Sequence, residues 1–416
     1  MNNDNSSPYI LIADDLSPTD TASLDVDQVA AFCTVAGGPT SHTVQVAYNL
    51  GIPTVVAAGP EIMEILDGEI CAVDGDSGNL YAGLKGEDLA HAASFQKSAE
   101  SQQLERRSEA GSLDSRILVT GTFVHTTQAI EMRAAGVKDV GLLATELLFL
   151  GRDTKLMDEE AHYETYMRVA ATMSDGYAVL RTLDIGGDKA VSGLNIAAED
   201  NSFLGVRGLR LTMRRQDLFL PQLRAVYRAA RDSGCTFKLM FPMVTTVEEF
   251  RGAMALANRI RREVDGPILD LGVMVEVPSA ALIADKFAEY VDFFSIGTND
   301  LAQYVLAMGR TNSALASEMD PLHTAVCRSI RLVTDAAAAV KKPVSACGGL
   351  AGDPVGAVVL MALGVTSLTV ATPMIPFING LTRRFDETQL SHVREEALTT
   401  GGEEHMRSVV EAIIST

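Results

Sequence analysis

Glu276, Asn299 and Asp300 are the residues from which a chemistry can first be read. Glu276 closes the run Gly272-Val273-Met274-Val275, and Asn299-Asp300 follow Phe293-Phe294-Ser295-Ile296-Gly297-Thr298. Each run is short, apolar and β-branched or aromatic, then breaks into polar residues, as a buried parallel strand does when its carboxyl end opens onto a site. Two carboxylates and an amide on one rim offer hard oxygen ligands, which suit Mg2+; Mn2+ accepts the same oxygens. Either acid alone reads equally well as a strand-end residue held by local hydrogen bonds. It is their occurrence on successive strands that points to a metal.

Cations accumulate around the same strand ends. Arg181 opens Arg181-Thr182-Leu183-Asp184-Ile185-Gly186-Gly187-Asp188-Lys189, Arg207 lies in Phe203-Leu204-Gly205-Val206-Arg207-Gly208, Lys238 precedes Phe241-Pro242-Met243, and Arg310 lies in the loop after Asn299-Asp300. Cys347 begins Cys347-Gly348-Gly349-Leu350-Ala351-Gly352-Asp353. One arginine alone reads as a surface ion-pair residue. Several cations with a metal pair read as a site for a small phosphorylated carboxylate, because guanidinium forks match both anions. A second feature is Gly37-Gly38-Pro39-Thr40-Ser41-His42-Thr43, a tight turn into a helix start. His42 falls in the first helical turn, where free backbone amides and the helix dipole favour an anion. It reads equally as a phosphoryl acceptor or as a capping histidine.

The elements that must position these residues follow from pattern. Residues 8–83 alternate short strands and helices with Gly, Asp and Pro at the turns, a small α/β domain over 1–85. Residues 86–112 are rich in Lys, Glu, Gln, Ser and Arg with about one apolar residue per turn, a solvated linker helix. From 113 to 416 the chain carries eight apolar strand candidates (117–120, 140–143, 178–183, 237–241, 272–277, 293–296, 344–346 and 368–370) separated by helical stretches. Eight parallel strands so separated close into a (β/α)8 barrel with its site at the carboxyl ends. The long connection before the fourth strand, carrying Arg207, Arg210, Arg214 and Arg215, is expected to fold over the barrel mouth.

With 416 residues, 47% hydrophobic and 21% charged, the chain has a large core. It has no apolar run near the ~18 residues of a membrane span. Five scattered cysteines imply free thiols in a reducing, cytoplasmic compartment. A net charge of −20 opposes nonspecific nucleic-acid binding.

Together, GGPTSHT, RTLDIGGDK, FLGVRG, FPM, GVMVEVP, FFSIGTNDLAQY and CGGLAGD resemble, in this order, enzyme I of the bacterial phosphoenolpyruvate:sugar phosphotransferase system, from about residue 8 to the C-terminus. The resemblance implies a swivelling phosphohistidine domain and a phosphoenolpyruvate-binding barrel that dimerises. It implies phosphorylation of His42, phosphate held by Arg181 and Arg207, and Mg2+ on Glu276 and Asp300. Asn299 and Arg310, with Lys238 in place of a family arginine, would fix the substrate. Cys347 would protonate the enolate carbon to give pyruvate, and a carrier such as HPr would take the phosphoryl group. The sequence departs from that family at Thr122, Ala144, Lys238 and Gly349, and has no counterpart of the helical subdomain that docks HPr. Those departures keep two further readings open: a regulatory homologue that binds phosphoenolpyruvate or pyruvate, and a barrel lyase acting through a metal enolate.

Overall fold

The computed structural model describes residues 8–16, 20–21, 24–25, 28–38, 42–75, 77–94, 117–123, 128–149, 158–173, 175–186, 199, 201–310, 312, 315 and 318–414. The chain divides into two compact units, Met1–Gly111 with Met308–Met319, and Ser112–Ala307 with Asp320–Thr416. Among the described residues no helix is long and apolar enough to cross a membrane.

In the first unit, β1 (Tyr9–Ala13), β2 (Val29–Thr34) and β3 (Thr54–Val55) form a parallel sheet, and β4 (Ala72–Asp74) pairs antiparallel with β5 (Asn79–Tyr81). Helix His42–Leu50 buries Ala47 against Val29, Phe32 and Ile52. Thr43 Oγ1 donates to the Leu16 carbonyl at 2.7 Å, which ties the helix start to the loop after β1. His42 is the first residue of that helix, as expected; Ser41 and the two residues before it lie outside the described set. Of the linker region, residues 86–94 are helical and 95–112 lie outside the described residues.

The second unit is a closed parallel barrel of β6 (Leu118–Phe123), β7 (Val140–Ala144), β8 (Tyr177–Arg181), β9 (Thr236–Phe241), β10 (Asp270–Val275), β11 (Phe293–Gly297), β12 (Val344–Cys347) and β13 (Ser367–Val370). All eight expected strands are present, in sequence order around the barrel. Alternation along each strand sorts side chains between two cores. On β10, Leu271, Val273 and Val275 pack against the surrounding helices, while Met274 joins Leu142, Ala144, Val179, Met240, Phe293 and Cys347 inside the barrel. Gly272 lets the Phe293 ring occupy the interior, since a Cβ there would lie 2.4 Å from it.

Aromatic packing fixes the helices beside the fourth and fifth strands. Phe219, Phe241, Phe250 and Phe287 form a chain of edge-to-face contacts at centroid distances of 6.3, 5.7 and 6.3 Å. Each such pair contributes about 0.5–1.5 kcal/mol beyond area burial. This ladder joins helices Gln216–Ser233 and Val247–Glu263 to β9. Thr246 and Glu249 start the second helix with a reciprocal capping box.

Candidate active site

The inward parity that places Met274 inside the barrel also places Arg181, the last residue of β8, and Glu276, just past β10, at the barrel mouth. Arg181 Nη1 reaches Met274 Sδ at 3.5 Å and Asp184 at 3.7 Å, and Nη2 is paired with Glu146. Arg207, with no exposed surface, donates through Nη2 to both oxygens of Asp184 at 3.3 and 3.2 Å. Its Nη1 donates to Asp300 at 3.0 Å and to the Tyr304 hydroxyl at 3.3 Å. Tyr304 in turn donates to the Phe203 carbonyl at 2.5 Å.

Local backbone makes this closeness possible. Gly186 has φ +99 and Gly208 has φ +54; a Cβ on Gly186 would stand 2.8 Å from the Val206 carbonyl oxygen, and one on Gly208 would stand 2.8 Å from Met243 Cβ. Met243 itself has φ 55 and is buried, a strained conformation for a residue with a side chain. Its N–H donates to Glu276 Oε1 at 2.7 Å. Cys347 ends β12 with its thiol 3.6 Å from the Ile296 carbonyl. Gly348, at φ +98, follows so closely under Thr298 that a Cβ would lie 2.5 Å from Oγ1. Asn299 Oδ1 accepts the Gly349 N–H at 3.1 Å, joining the β11 and β12 ends.

The charges are strongly coupled. Burial would lower the Arg181 and Arg207 guanidinium groups, but Glu146 and Asp184 around the first, and Asp184 and Asp300 around the second, hold both above their ordinary value. Burial, Asp300 and Asp184 push Glu276 up to about 8, against the pull of the two arginines. Burial pushes the Cys347 thiol to about 11, with Arg181 drawing it back. Among the described residues four carboxylates (Glu146, Asp184, Glu276, Asp300) thus face two guanidinium groups, and burial together with the neighbouring acids gives Glu276 its affinity for a proton. A cation could satisfy that demand instead. Among the described residues no group of three or more His, Cys, Asp and Glu is arranged to hold a metal. Two protein carboxylates, with the other ligands supplied by substrate and water, nevertheless fit the way Mg2+ is commonly bound.

Residues 99–386 match the family model for the phosphoenolpyruvate-binding domain of PEP-utilising enzymes, and residues 6–78 match the model for their mobile domain. The chain belongs to the PEP-utilising enzymes. It is 44% identical over 407 residues to a multiphosphoryl transfer protein of Xanthomonas campestris, covering 97% of this chain and 48% of that protein. It is 41% identical over 381 residues to a namesake from Rhodobacter capsulatus, covering 90% of this chain and 46% of the relative. Against a phosphoenolpyruvate-protein phosphotransferase of Geobacillus stearothermophilus it is 36% identical over 427 residues, covering 99% of this chain and 72% of the relative. The chain therefore spans about half the length of the multiphosphoryl transfer proteins it matches.

Not every residue expected from sequence enters the site of this PEP-utilising enzyme. Arg181, Glu276, Asn299, Asp300 and Cys347 stand at the strand ends of the barrel mouth, and Arg207 reaches Asp184 and Asp300 from the connection after β8. Lys238 does not. It lies early on β9, and its ammonium pairs with Asp270, the first residue of β10, at 3.1 Å. It sits 4.8 Å from the centroid of Tyr177 and 5.7 Å from that of Phe293, both first residues of their strands. Inward parity is shared with Arg181, but depth is not: Lys238 closes the amino-terminal end of the barrel. Arg310 is buried and belongs, with Met308–Met319, to the first unit. Of the four arginines expected to fold over the mouth, Arg207 reaches the cluster, while Arg210 pairs with Glu249, Arg215 with Asp217, and Arg214 is exposed. Glu146 and Asp184 were not assigned from sequence. Asp184 stands three residues after Arg181, a spacing at which a strand-end carboxylate can fold back on its own arginine.

Proposed function

We propose that this chain moves the phosphoryl group of phosphoenolpyruvate to His42, releases pyruvate, and passes the phosphoryl group to an HPr-like carrier protein, as a separate or a fused module. One observation supports this above the rest: Arg181 and Arg207 are held, almost without solvent exposure, beside Glu276, Asp300 and Cys347 at one barrel mouth. The names of the relatives, phosphoenolpyruvate-protein phosphotransferase and multiphosphoryl transfer protein, point the same way.

In this reading the guanidinium groups receive the phosphoryl and carboxylate oxygens, and Asn299 and Arg310 orient the substrate. Glu276 and Asp300 would hold Mg2+, or Mn2+, which when bound draws negative charge from the enolate and phosphoryl oxygens. His42, at a helix start where backbone amides favour an anion, accepts the phosphoryl group in line. Cys347, kept as a thiol by burial, delivers its proton to C3 of the enolate. The small α/β domain of 1–85 swings on the 86–112 linker to carry His42 between donor and acceptor. The barrel pairs with a second copy as a homodimer. Five free cysteines accord with a reducing cytoplasm.

Labelled phosphoenolpyruvate with Mg2+ should give an acid-labile phosphoprotein that is absent from His42→Ala. A wild-type protein that takes up no label sinks the proposal.

A further inference from the structure

The carboxyl ends of β7 and β8 are clamped from outside the barrel by one carboxamide. Gln222 is fully buried on helix Gln216–Ser233. Its Oε1 accepts the Leu183 N–H at 3.0 Å, and its Nε2 donates to Thr145 Oγ1 at 2.9 Å and to the Tyr166 hydroxyl at 3.1 Å. Because Leu183 N–H can only donate, the amide cannot be flipped, and the direction of the network follows. Thr145 Oγ1 passes its hydrogen to the Arg181 carbonyl at 2.8 Å. Tyr166, accepting from Gln222, is also hydrogen-bonded to His162 Nδ1 at 2.9 Å. Both amide hydrogens and the carbonyl oxygen of Gln222 are thereby used.

The backbone points held by this clamp are those that carry the charged cluster. Thr145 precedes Glu146, Leu183 precedes Asp184, and the Arg181 carbonyl is the third point. The hydrogen bonds of Gln222 go to Leu183, Thr145 and Tyr166 and to none of the charged side chains, so they act on the cluster by fixing where its backbone stands. We propose that Gln222 is a positioning residue for phosphoenolpyruvate binding, setting through Thr145 and Leu183 the strand ends from which Arg181, Glu146 and Asp184 reach the barrel mouth. This rests on the function proposed above. A displacement of about 1 Å in such groups is enough to cost much of their effect on a bound substrate. The competing account is a buried polar network that only stabilises the fold.

Two arms of the network separate these accounts. Tyr166 and His162 form the outer arm, which among the described residues shows no side-chain hydrogen bond to the site backbone. Thr145 forms the inner arm, which does. The full chain and the variants Gln222→Leu, Thr145→Val and Tyr166→Phe should be titrated with phosphoenolpyruvate and Mg2+ by calorimetry, with Tm measured on each.

Wild type and Tyr166→Phe should bind equally, while Gln222→Leu and Thr145→Val should weaken binding by about tenfold, roughly one hydrogen bond's worth of orientation. Equal affinity in wild type, Gln222→Leu and Thr145→Val, whatever the fall in Tm, overturns the inference and leaves the functional reading intact. So does a loss in Tyr166→Phe as large as in Gln222→Leu. A wild type that does not bind phosphoenolpyruvate removes the functional reading itself and this inference with it. If Gln222→Leu fails to fold, the contrast between Thr145→Val and Tyr166→Phe carries the test.

Discussion

Arg207 and Asp300 are joined directly, Nη1 to Oδ1 at 3.0 Å, with the arginine fully buried and the aspartate nearly so. The carboxylate proposed to hold a divalent cation is therefore already the partner of a guanidinium. A phosphorylated ligand would offer the Arg207 guanidinium phosphoryl oxygens in exchange for Asp300, and the carboxylate so released would be open to a divalent cation.

That exchange predicts the behaviour of Arg207→Ala. Asp184 and Asp300 both lose the Arg207 guanidinium, Asp184 keeping Arg181 at 3.7 Å, and removing one partner of a buried ion pair costs about 3–5 kcal/mol. Urea unfolding of the ligand-free variant should show that loss, and Mg2+ should raise the variant's Tm more than the wild type's, because Arg207 no longer competes for the carboxylates. Arg207→Lys should recover part of the stability but not the two-sided contact. Equal Mg2+ responses in wild type and Arg207→Ala would exclude competition between guanidinium and metal.

Glu276 supplies a pH dependence of definite sign. Its ordinary value of 4.5 is raised to about 8 in the fold by burial, with Asp300 and Asp184 adding to the effect. Between those values the folded state keeps a proton that the unfolded chain has lost. Stability of the ligand-free protein should therefore be greatest at the low end of this window and fall as pH rises from about 5 towards 8. Glu276→Gln should lack this component, and Mg2+ should oppose the decline by taking the proton's place. Parallel stability curves for wild type and Glu276→Gln over that range would count against a raised carboxyl.

Cys347 is held as a thiol by burial, and its place beside Arg181 suits it to give up a proton and survive briefly as the thiolate. Cys347→Ser, with a far weaker acid in the same place, should bind phosphoenolpyruvate as wild type does yet form pyruvate roughly 10²–10⁴-fold more slowly, the usual range for loss of a positioned proton donor. Pyruvate made by the wild type in D2O should carry deuterium at C3. Unchanged pyruvate formation in Cys347→Ser would take the thiol out of the reaction.

The strands were legible because the chemistry of a parallel barrel writes itself as short apolar runs broken at their carboxyl ends, and Arg181, Glu276, Asp300 and Cys347 stand at those breaks. Lys238 was misplaced because alternation gives the face of a strand and not the depth along it; only the pairing of β9 with β10 shows that Lys238 stands opposite Asp270 at the other end. Glu146 and Asp184 carry no signal of their own in the sequence, because an anionic substrate calls for cations and does not name the carboxylates that hold those cations in place. Gln222 left a fainter trace, a polar residue on the apolar stripe of Leu218, Phe219, Leu223 and Val226, all buried. His162 stands similarly on the buried face with Tyr166 and Val169. A polar residue in such a stripe must find hydrogen bonds inside the protein, but its partners come from strands distant in sequence.

Gly208 tests whether the tight passage beneath Arg207 is needed. At φ +54, a Cβ there would stand 2.8 Å from Met243 Cβ and 3.2 Å from Asp184 Oδ1, and Met243 is the residue whose N–H holds Glu276. Gly208→Ala therefore adds a clash on both sides of the cluster to the left-handed strain of roughly 1–2 kcal/mol that any side chain meets at such a φ. Gly234, at φ +68 after helix Gln216–Ser233 with nothing within 4 Å of its would-be Cβ, isolates the strain alone. Gly234→Ala should lower stability by about 1 kcal/mol and leave phosphoenolpyruvate affinity unchanged. Gly208→Ala should lower stability further and weaken binding, because Arg207 and Glu276 are pushed apart along the backbone that carries them. If calorimetry finds the two variants alike in affinity, the backbone contact between Gly208 and Met243 has no bearing on how the substrate is held.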